Sequence, residues 1–241
     1  MGALREIGWD GFYNTRDLGG LPTKSGGMTR HGAFIRSASL VLVADDGWRV
    51  AREAGLRTIV DLRTAGEIRD ERGVPPAEWG FARVEVSLDG TGEGEFWTNV
   101  RQEGLDGSPL YYRPFLDRMP ERCAAVITAL ANTAPDTVLF HCAAGRDRTG
   151  LVTLLLLSLA DVSPEEIAAD YELSATALVP MLAALDLEDP GPLIEAHLRC
   201  RGTTLRAVML ETLATFDAER YLLDAGVSAS DIDVVRRRLI A

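Results

Sequence analysis

A polar loop between two apolar segments places the strongest limit on how this chain can fold. Residues 137–140 (TVLF) have the apolar and aromatic composition of a buried strand, and residues 151–157 (LVTLLLL) have that of a buried helix. The loop between them, residues 141–150, is HCAAGRDRTG and contains two glycines. A strand that runs through a short glycine-containing loop straight into a helix is part of a parallel strand–helix–strand unit. The segment therefore predicts an α/β fold.

The rest of the chain repeats this alternation of strands and helices. Strands are predicted at residues 33–36, at residues 58–62 and where Val84, Val86 and Leu88 alternate with polar residues. Helices are predicted at residues 45–54, from the capping box Thr64-x-x-Glu67, from Pro109, at residues 120–131, 149–160 and 163–173, and after Ser228. No linker or internal repeat divides the chain. The pattern predicts one domain over residues 1–241, with helices flanking a largely parallel central sheet.

Two segments are less regular. Residues 90–107 are rich in glycine and acidic residues and predict a mobile surface loop. Residues 175–220 have helical patterns that are interrupted at residues 189–192 (DPGP). On pattern alone, the simplest interpretation of residues 175–220 is an extension of the helical core.

The charge and the cysteine content exclude some classes of function. The net charge of −11 argues against an open nucleic-acid surface, so a bound phosphate would have to be held by a local group of arginines. Three cysteines, an odd number, favour a reducing compartment over a disulfide framework. The first residues lack an apolar signal core, and the longest apolar run, residues 151–160, is too short to span a bilayer. We therefore expect a cytoplasmic protein with no stable membrane anchor and no nucleic-acid partner.

Polar residues follow all four predicted strands. They are Arg36-Ser37, Asp61-Leu62-Arg63, Asp89 and His141-Cys142. Ligands of open α/β sheets bind outside the carboxyl ends of the strands. If these strands are parallel, the four polar ends should converge on one crevice.

The loop at residues 141–150 has the features of an anion site that contains a nucleophile. Successive backbone N–H groups of a strand-to-helix turn point at one place, and the helix dipole favours an anion there. The same arrangement stabilises the thiolate of Cys142. Gly145 allows a tight turn, Arg148 can grip two phosphate oxygens, and Thr149 can offer its hydroxyl to the sulfur.

A plainer interpretation is also available. Cys142 could be a buried core cysteine and Arg148 a solvated residue at the start of a helix. A bare Cys-x5-Arg pattern would favour that interpretation, because it is short and common. The complete string, with an apolar strand before it and an apolar helix after it, favours the anion site.

The string HCAAGRDRTG resembles the signature of cysteine-dependent tyrosine phosphatases, and its DRTG ending is similar to that of the atypical bacterial members. Further matches in chain order are NTRDLGG (14–20), FIRS (34–37), VDLR (60–63) and YLLDAG (221–226). The resemblance implies a tyrosine-phosphatase-like α/β fold and hydrolysis of phosphate monoesters through a phosphocysteine intermediate, without a metal or cofactor. The implied substrates are proteins phosphorylated on tyrosine, or on serine or threonine, and phosphoinositide head groups, with a phosphate or sulfate anion in the site.

The resemblance also implies roles for individual residues. Cys142 is the expected nucleophile, Arg148 binds phosphate, and Asp147 is the first candidate for the general acid. Asp61 is the second candidate and could instead hold Arg148 in position. The expected substrate-binding residues are Ala143, Ala144, Gly145, Arg146, Arg63 and Thr149. Arg146 stands where the family usually has lysine, which keeps the charge on a larger head group.

Other assignments stay open at this point. Asp89, Asp106 and Asp117 are alternative acids by position. Arg16 and Asp17 either form a salt bridge in a turn or support the anion loop. Residues 175–220 either extend the core or, as the resemblance suggests, form a helical lid with a hinge at residues 189–192.

Two other functions compete with a phosphatase. One is a non-catalytic module that binds phosphopeptides or phosphoinositides, although a binding module needs no nucleophile. The other is a sulfurtransferase, which also places a cysteine in a strand-to-helix loop. The Arg148-Thr149 pair disfavours the sulfurtransferase.

Overall fold

The computed structural model describes residues 5–69, 73–90 and 94–240, and its strands form one five-stranded sheet. The strands are β1 (Arg16–Asp17), β2 (Phe34–Ser37), β3 (Leu56–Asp61), β4 (Ala82–Glu85) and β5 (Thr137–His141). Their order across the sheet is β1-β2-β5-β3-β4. The last four of these are parallel, and β1 pairs antiparallel with β2. The predicted α/β fold with a largely parallel central sheet is confirmed.

The register of the sheet brings the carboxyl ends of the parallel strands to one level. The residues that lie side by side there are Ser37, His141, Asp61 and Glu85. Backbone pairing with β3 continues past the end of β4 as far as Leu88. Four polar strand ends therefore meet at one edge of the sheet.

Helices lie on both faces of the sheet. In the described ranges they are α1 (Asp45–Glu53), α2 (Ala65–Ile68), α3 (Glu95–Gln102), α4 (Tyr112–Arg118), α5 (Pro120–Ala131), α6 (Asp147–Leu159), α7 (Pro164–Glu172), α8 (Ser174–Ala177), α9 (Val179–Ala184), α10 (Gly191–Cys200), α11 (Leu205–Leu213), α12 (Ala218–Asp224) and α13 (Ala229–Leu239). Short 3-10 helices occur at Ala77–Trp79 and Pro109–Tyr111.

Alternate residues of the central strand contribute to two apolar clusters. Val138 and Phe140 of β5 belong to the large cluster formed with α5, α6 and α13, and Leu139 belongs to a smaller cluster with Trp48 of α1. Successive side chains of a strand point to opposite faces, so a strand that is apolar at every position must be covered on both. Helix α6 is buried at every residue from 149 to 157, which explains why its sequence shows no polar face.

The prediction of a mobile loop over residues 90–107 is wrong for residues 95–102. Residues 95–102 form α3, in which Phe96, Trp97 and Val100 are buried. The rings of Phe96 and Trp97 both pack against Phe115 of α4. Three apolar side chains on one face of a short helix outweigh the glycine-rich flanks. Residues 91–93, which belong to the same prediction, lie outside the described residues.

Residues 175–220 divide into two parts that pack differently. Helix α11 packs on α7, and its Met209 and Leu213 join the large apolar cluster. Helices α8 to α10 lie instead near the carboxyl ends of the strands, where Leu178 and Met181 pack against Ala38. Leu198 is the one buried residue of α10. The break at residues 189–192 connects α9 to α10. Within the described part of the chain, every helix is too short or too polar to cross a membrane.

Candidate active site

Residues 142–148, here called the cysteine loop, curl between the end of β5 and the start of α6. The curl depends on Gly145, whose φ is +64°. A Cβ atom there would lie 2.3 Å from the carbonyl oxygen of Ser37 and 2.4 Å from the amide nitrogen of Ala38. Both neighbours are backbone atoms, so they cannot move aside as a flexible side chain would. Only glycine fits this position without displacing β2.

The carbonyl groups of the cysteine loop point outward, where other segments bind them. The Ala143 carbonyl accepts from the amide of Ser39 at 2.8 Å. The Asn14 side-chain amide donates to the carbonyls of Ala144 and Gly145 at 3.0 and 3.1 Å. Arg36 Nη2 also donates to the Gly145 carbonyl, at 2.7 Å.

The sulfur of Cys142 lies at the base of the loop and is almost fully covered. Cys142 is 2% exposed. The Thr149 hydroxyl, in the first turn of α6, donates to Sγ at 3.2 Å. A hydroxyl donor in the first turn of α6 therefore faces the sulfur.

Arg148 is held at the loop by carboxylates that the sequence analysis did not assign to it. Its Nη1 and Nη2 donate to the two carboxylate oxygens of Glu67, both at 2.7 Å, and Nη1 lies 3.3 Å from Asp89. The capping box fixes Glu67, because Thr64 donates to the same carboxylate. Burial disfavours ionisation of Glu67, but the hydrogen bonds and charge of Arg148 outweigh it and lower the Glu67 pKa to about 2.

Asp89 is a partly buried acidic residue of the site, and its pKa is raised. Its Oδ1 is buried and has no hydrogen-bond partner among the described residues. Burial raises the pKa of Asp89 to about 6, against the opposing effect of Arg148 and with the help of the negative charges of Glu67 and Asp147. Asp89 therefore exchanges a proton near neutral pH while it touches Arg148.

Asp147 lies at the mouth of the loop as the first residue of α6, and two tyrosines hold it. The Tyr171 hydroxyl donates to Asp147 Oδ1 at 2.9 Å, and the Tyr112 hydroxyl donates to the Asp147 backbone carbonyl at 2.6 Å. Arg146 Nε lies 3.3 Å from the same carboxylate, whose side chain is 21% exposed. Gly150 makes this possible, since a Cβ there would come within 2.5 Å of the Tyr112 hydroxyl.

Asp61 and Arg63 are bound to each other below the strand ends. Arg63 Nε and Nη2 donate to the two oxygens of Asp61 at 2.9 and 2.7 Å. Asp61 is fully buried, and although burial opposes its ionisation, the Arg63 hydrogen bonds lower its pKa to about 2. The expectation that Asp61 could hold Arg148 is wrong, because Glu67 does so.

The motif around Arg16 also differs from expectation. Arg16 does not pair with Asp17; its Nε donates to Asp170 of α7 at 3.0 Å. Asp17 accepts instead from the backbone amides of Gly19 and Gly32. The alternative of an Arg16–Asp17 salt bridge is therefore wrong, since adjacent residues of a strand point to opposite faces.

Helices α8 to α10 cover one side of the cysteine loop. Leu178 and Met181 form a small apolar cluster with Ala38, against which Ala144 of the loop packs. Between this cover and Arg146 lies a cavity of 50 Å³ that Ile194 also lines. Pockets that hold small-molecule ligands are larger, about 300–1,000 Å³.

Comparison with known proteins shows what the chain is similar to. A family model described as the tyrosine phosphatase family matches residues 7–241. A putative tyrosine-protein phosphatase of Cupriavidus necator is 28% identical over 97% of this chain and 87% of its own length. A tyrosine-protein phosphatase of Nostoc commune is 30% identical over 86% of this chain and 74% of its own length. A triple specificity protein phosphatase of Mycobacterium tuberculosis is 31% identical over 99% of both chains.

Proposed function

The chain belongs to the tyrosine phosphatase family and is a phosphatase, and from this we propose that it hydrolyses phosphotyrosine through a phosphocysteine on Cys142. The observation that supports the mechanism most is the sulfur of Cys142 at the base of a loop whose carbonyls at Ala143, Ala144 and Gly145 are bound by other segments. A non-catalytic module would need the loop but not the buried, hydrogen-bonded sulfur.

The proposed reaction has two displacements at phosphorus. In the first, the Cys142 thiolate forms a bond to phosphorus, and the bond from phosphorus to the substrate oxygen breaks as that oxygen takes a proton from Asp147. In the second, water attacks the phosphocysteine, gives a proton back to Asp147, and releases phosphate and the thiolate. Arg148 releases the two oxygens of Glu67 and binds two phosphate oxygens instead. The loop amides stabilise the charge in both transition states.

We assign the general acid to Asp147 rather than Asp61. Asp147 is partly exposed at the loop mouth, where a leaving group would depart, and Tyr171 fixes its carboxyl group. Asp61 is buried at the end of β3, and a pKa of about 2 leaves it without a proton at neutral pH. Asp61 and Arg63 then serve to hold the strand ends in place.

Asp147→Asn should lose rate according to the leaving group of the substrate. We expect a decrease of kcat of roughly 10²-fold or more on phosphoserine peptides, because general acid catalysis contributes about 10²–10⁴-fold when an alkoxide departs. The loss on nitrophenyl phosphate should be far smaller, since that leaving group needs no proton. Asp61→Asn is the comparison, and it should affect both substrates equally. An equal loss on both substrates in Asp147→Asn would contradict the assignment.

Anion binding should depend on pH through Asp89. As pH rises through about 6, Asp89 loses its proton and its negative charge competes with the anion for Arg148. Sulfate affinity should therefore fall across this range. We expect a decrease of about two- to fivefold, which corresponds to the free energy of a partly exposed ion pair. Sulfate is the suitable probe because its own charge does not change there. In Asp89→Asn the decrease should be absent; a decrease of the same size would rule out Asp89 as its source.

We propose that the substrate range extends beyond phosphotyrosine. The relative from Mycobacterium tuberculosis is named a triple specificity phosphatase, and Arg146 adds a second guanidinium at the loop mouth for an anionic head group. A panel of phosphotyrosine, phosphoserine and phosphothreonine peptides and phosphoinositides tests this range. Turnover of an aryl phosphate separates the phosphatase from a binding module, and thiosulfate is the substrate that would reveal a sulfurtransferase.

We also propose a single phosphatase domain over residues 1–241 in which the cover at α8 to α10 acts as a lid. Leu178 and Met181 lie beside Ala144 of the cysteine loop, so movement of these helices would open that side of the loop to a substrate. Amide hydrogen exchange with and without vanadate tests the lid. We expect residues 174–200 to exchange faster than α11 without vanadate and to become protected with it. Equal protection of α10 and α11 without vanadate would favour a rigid cover.

A further inference from the structure

We propose that Asn14, held by Arg16, and Arg36, held by Asp170, are positioning residues that fix the direction of the loop amides and so set the affinity of the cysteine loop for phosphate. The inference deepens the proposed function, on which it rests for the identity of the anion. Arg36 belongs to a buried cluster of three arginines, with Arg5 and Arg16, that surrounds the carboxylate of Asp170.

The geometry of the peptide bond links these residues to the anion. In a trans peptide the C=O and the following N–H point in opposite directions, and the described chain has no cis peptide bond. Asn14 and Arg36 bind the carbonyls of Ala144 and Gly145 from outside the loop. The amides of Gly145 and Arg146 therefore point to the inside. The hydrogen bonds from Asn14 and Arg36 thus fix the direction of these two loop N–H groups.

The charge of the cluster exceeds what a structural ion pair requires. Three guanidinium groups and one carboxylate leave two positive charges in excess, and the Arg36 and Asp170 side chains are fully buried. Arg36 Nε has no hydrogen-bond partner among the described residues. Burial and the charge of Arg36 lower the pKa of Arg16 to about 10. Buried unpaired charge is costly, so its retention beneath an anion-binding loop needs a reason beyond holding α7 in place.

The position of the excess charge supplies that reason. Arg36 lies at the carbonyl end of the Gly145–Arg146 peptide, and the anion would lie at the N–H end. A cation on the carbonyl polarises the peptide and strengthens the hydrogen bond that its N–H donates.

The side chain of Asn14 is oriented to bind the loop carbonyls. Its Oδ1 accepts from Arg16 Nη1 at 2.6 Å, which leaves the amide nitrogen facing the loop. Its φ of +50° lies in the left-handed region. Glycine adopts that conformation freely, so Asn14→Gly removes the side-chain amide without straining the turn.

Arg5 provides a matched control. It donates to Asp170 and to the backbone carbonyl of Asp17, and has no contact with the cysteine loop in the described structure. Arg5→Met and Arg36→Met remove the same charge from the same cluster. If the cluster only stabilises the fold, the two variants should bind phosphate alike. If Arg36 positions the loop, they should differ.

The test is the dissociation constant of inorganic phosphate, measured by calorimetry on each folded variant, together with kcat and KM for an aryl phosphate. We expect Asn14→Gly and Arg36→Met to bind phosphate about ten- to a hundredfold more weakly, the scale of hydrogen bonds that involve charged groups. Arg5→Met should stay within about twofold of the wild type, because it loses no loop contact. Arg36→Lys should recover part of the affinity, since it keeps the charge and one donor.

Several outcomes would overturn the inference. They are an unchanged phosphate affinity in Asn14→Gly, an equal loss in Arg5→Met and Arg36→Met, or a wild type that does not bind phosphate. If Arg36→Met does not fold, Asn14→Gly and Arg36→Lys decide the question. A wild type that binds phosphate but does not turn over would refute the proposed function alone, because the affinities of the variants still test the positioning.

Discussion

Replacing Cys142 with serine should abolish turnover while phosphate binding is retained. We expect kcat for an aryl phosphate to fall by roughly 10⁴-fold or more, the scale on which loss of a catalytic nucleophile acts. A hydroxyl is not ionised at neutral pH, and the side chain that binds Cys142 in the described structure, the Thr149 hydroxyl, is a donor rather than a base. The loop amides and Arg148 are unchanged, so inorganic phosphate should bind about as well as before.

The control for this experiment is Cys200→Ser. Cys200 is an exposed cysteine at the end of α10, and the same chemical change there should leave kcat within about twofold of the wild type, as is usual for exposed positions. Rapid quenching with labelled substrate should trap a phosphorylated protein in the wild type and in Cys200→Ser. Substantial activity in Cys142→Ser, or a trapped phosphate that survives this substitution, would exclude the phosphocysteine mechanism.

Arg148→Lys should be nearly as damaging although it keeps the charge. Arg148 presents two parallel N–H groups, which in the free protein hold both oxygens of Glu67. In the transition state the same two groups would hold two oxygens of the phosphoryl group, and an ammonium cannot reproduce that planar geometry. We expect kcat/KM to fall by about 10²–10³-fold, the effect of removing a donor to developing negative charge.

Arg146→Lys is the matched control, because it makes the same exchange two residues away at the loop mouth. Arg146 contacts Asp147 through three longer hydrogen bonds of 3.3 to 3.4 Å, from Nε and Nη2, which a lysine can replace in part. We expect kcat/KM for an aryl phosphate to change by less than about fivefold, because an ion pair near the surface contributes up to about 1 kcal/mol. A near-normal kcat/KM in Arg148→Lys would show that Arg148 does not grip the phosphoryl group.

The parts of the site that are local in sequence could be predicted from it. The strand, loop and helix from residue 137 to residue 159 are continuous, so their order alone places Cys142, Thr149 and Arg148 around one point. The strand ends could be aligned because parallel strands have only one common carboxyl edge. The same reasoning placed Asp89 at this edge, but could not show that burial would raise its pKa.

The parts that depend on distant segments could not be predicted. Glu67 lies 81 residues before Arg148, and its capping box indicates the start of a helix rather than a partner for an arginine. Asp170 lies 134 residues after Arg36 in a helix with no distinctive motif. Asp61 appeared available for catalysis from its place at a strand end, yet the arginine two residues later occupies both of its oxygens.

The pairing of β1 with β2 has a consequence for how the protein is made. Arg16 and Arg36 lie directly opposite each other in these strands, and like charges so placed repel. Both guanidinium groups pair with Asp170, which leaves the ribosome 134 residues after Arg36. Contacts of such long sequence separation form late in folding. We therefore expect β1 to dock late in folding. A growing chain then has no assembled cysteine loop until α7 has been synthesised.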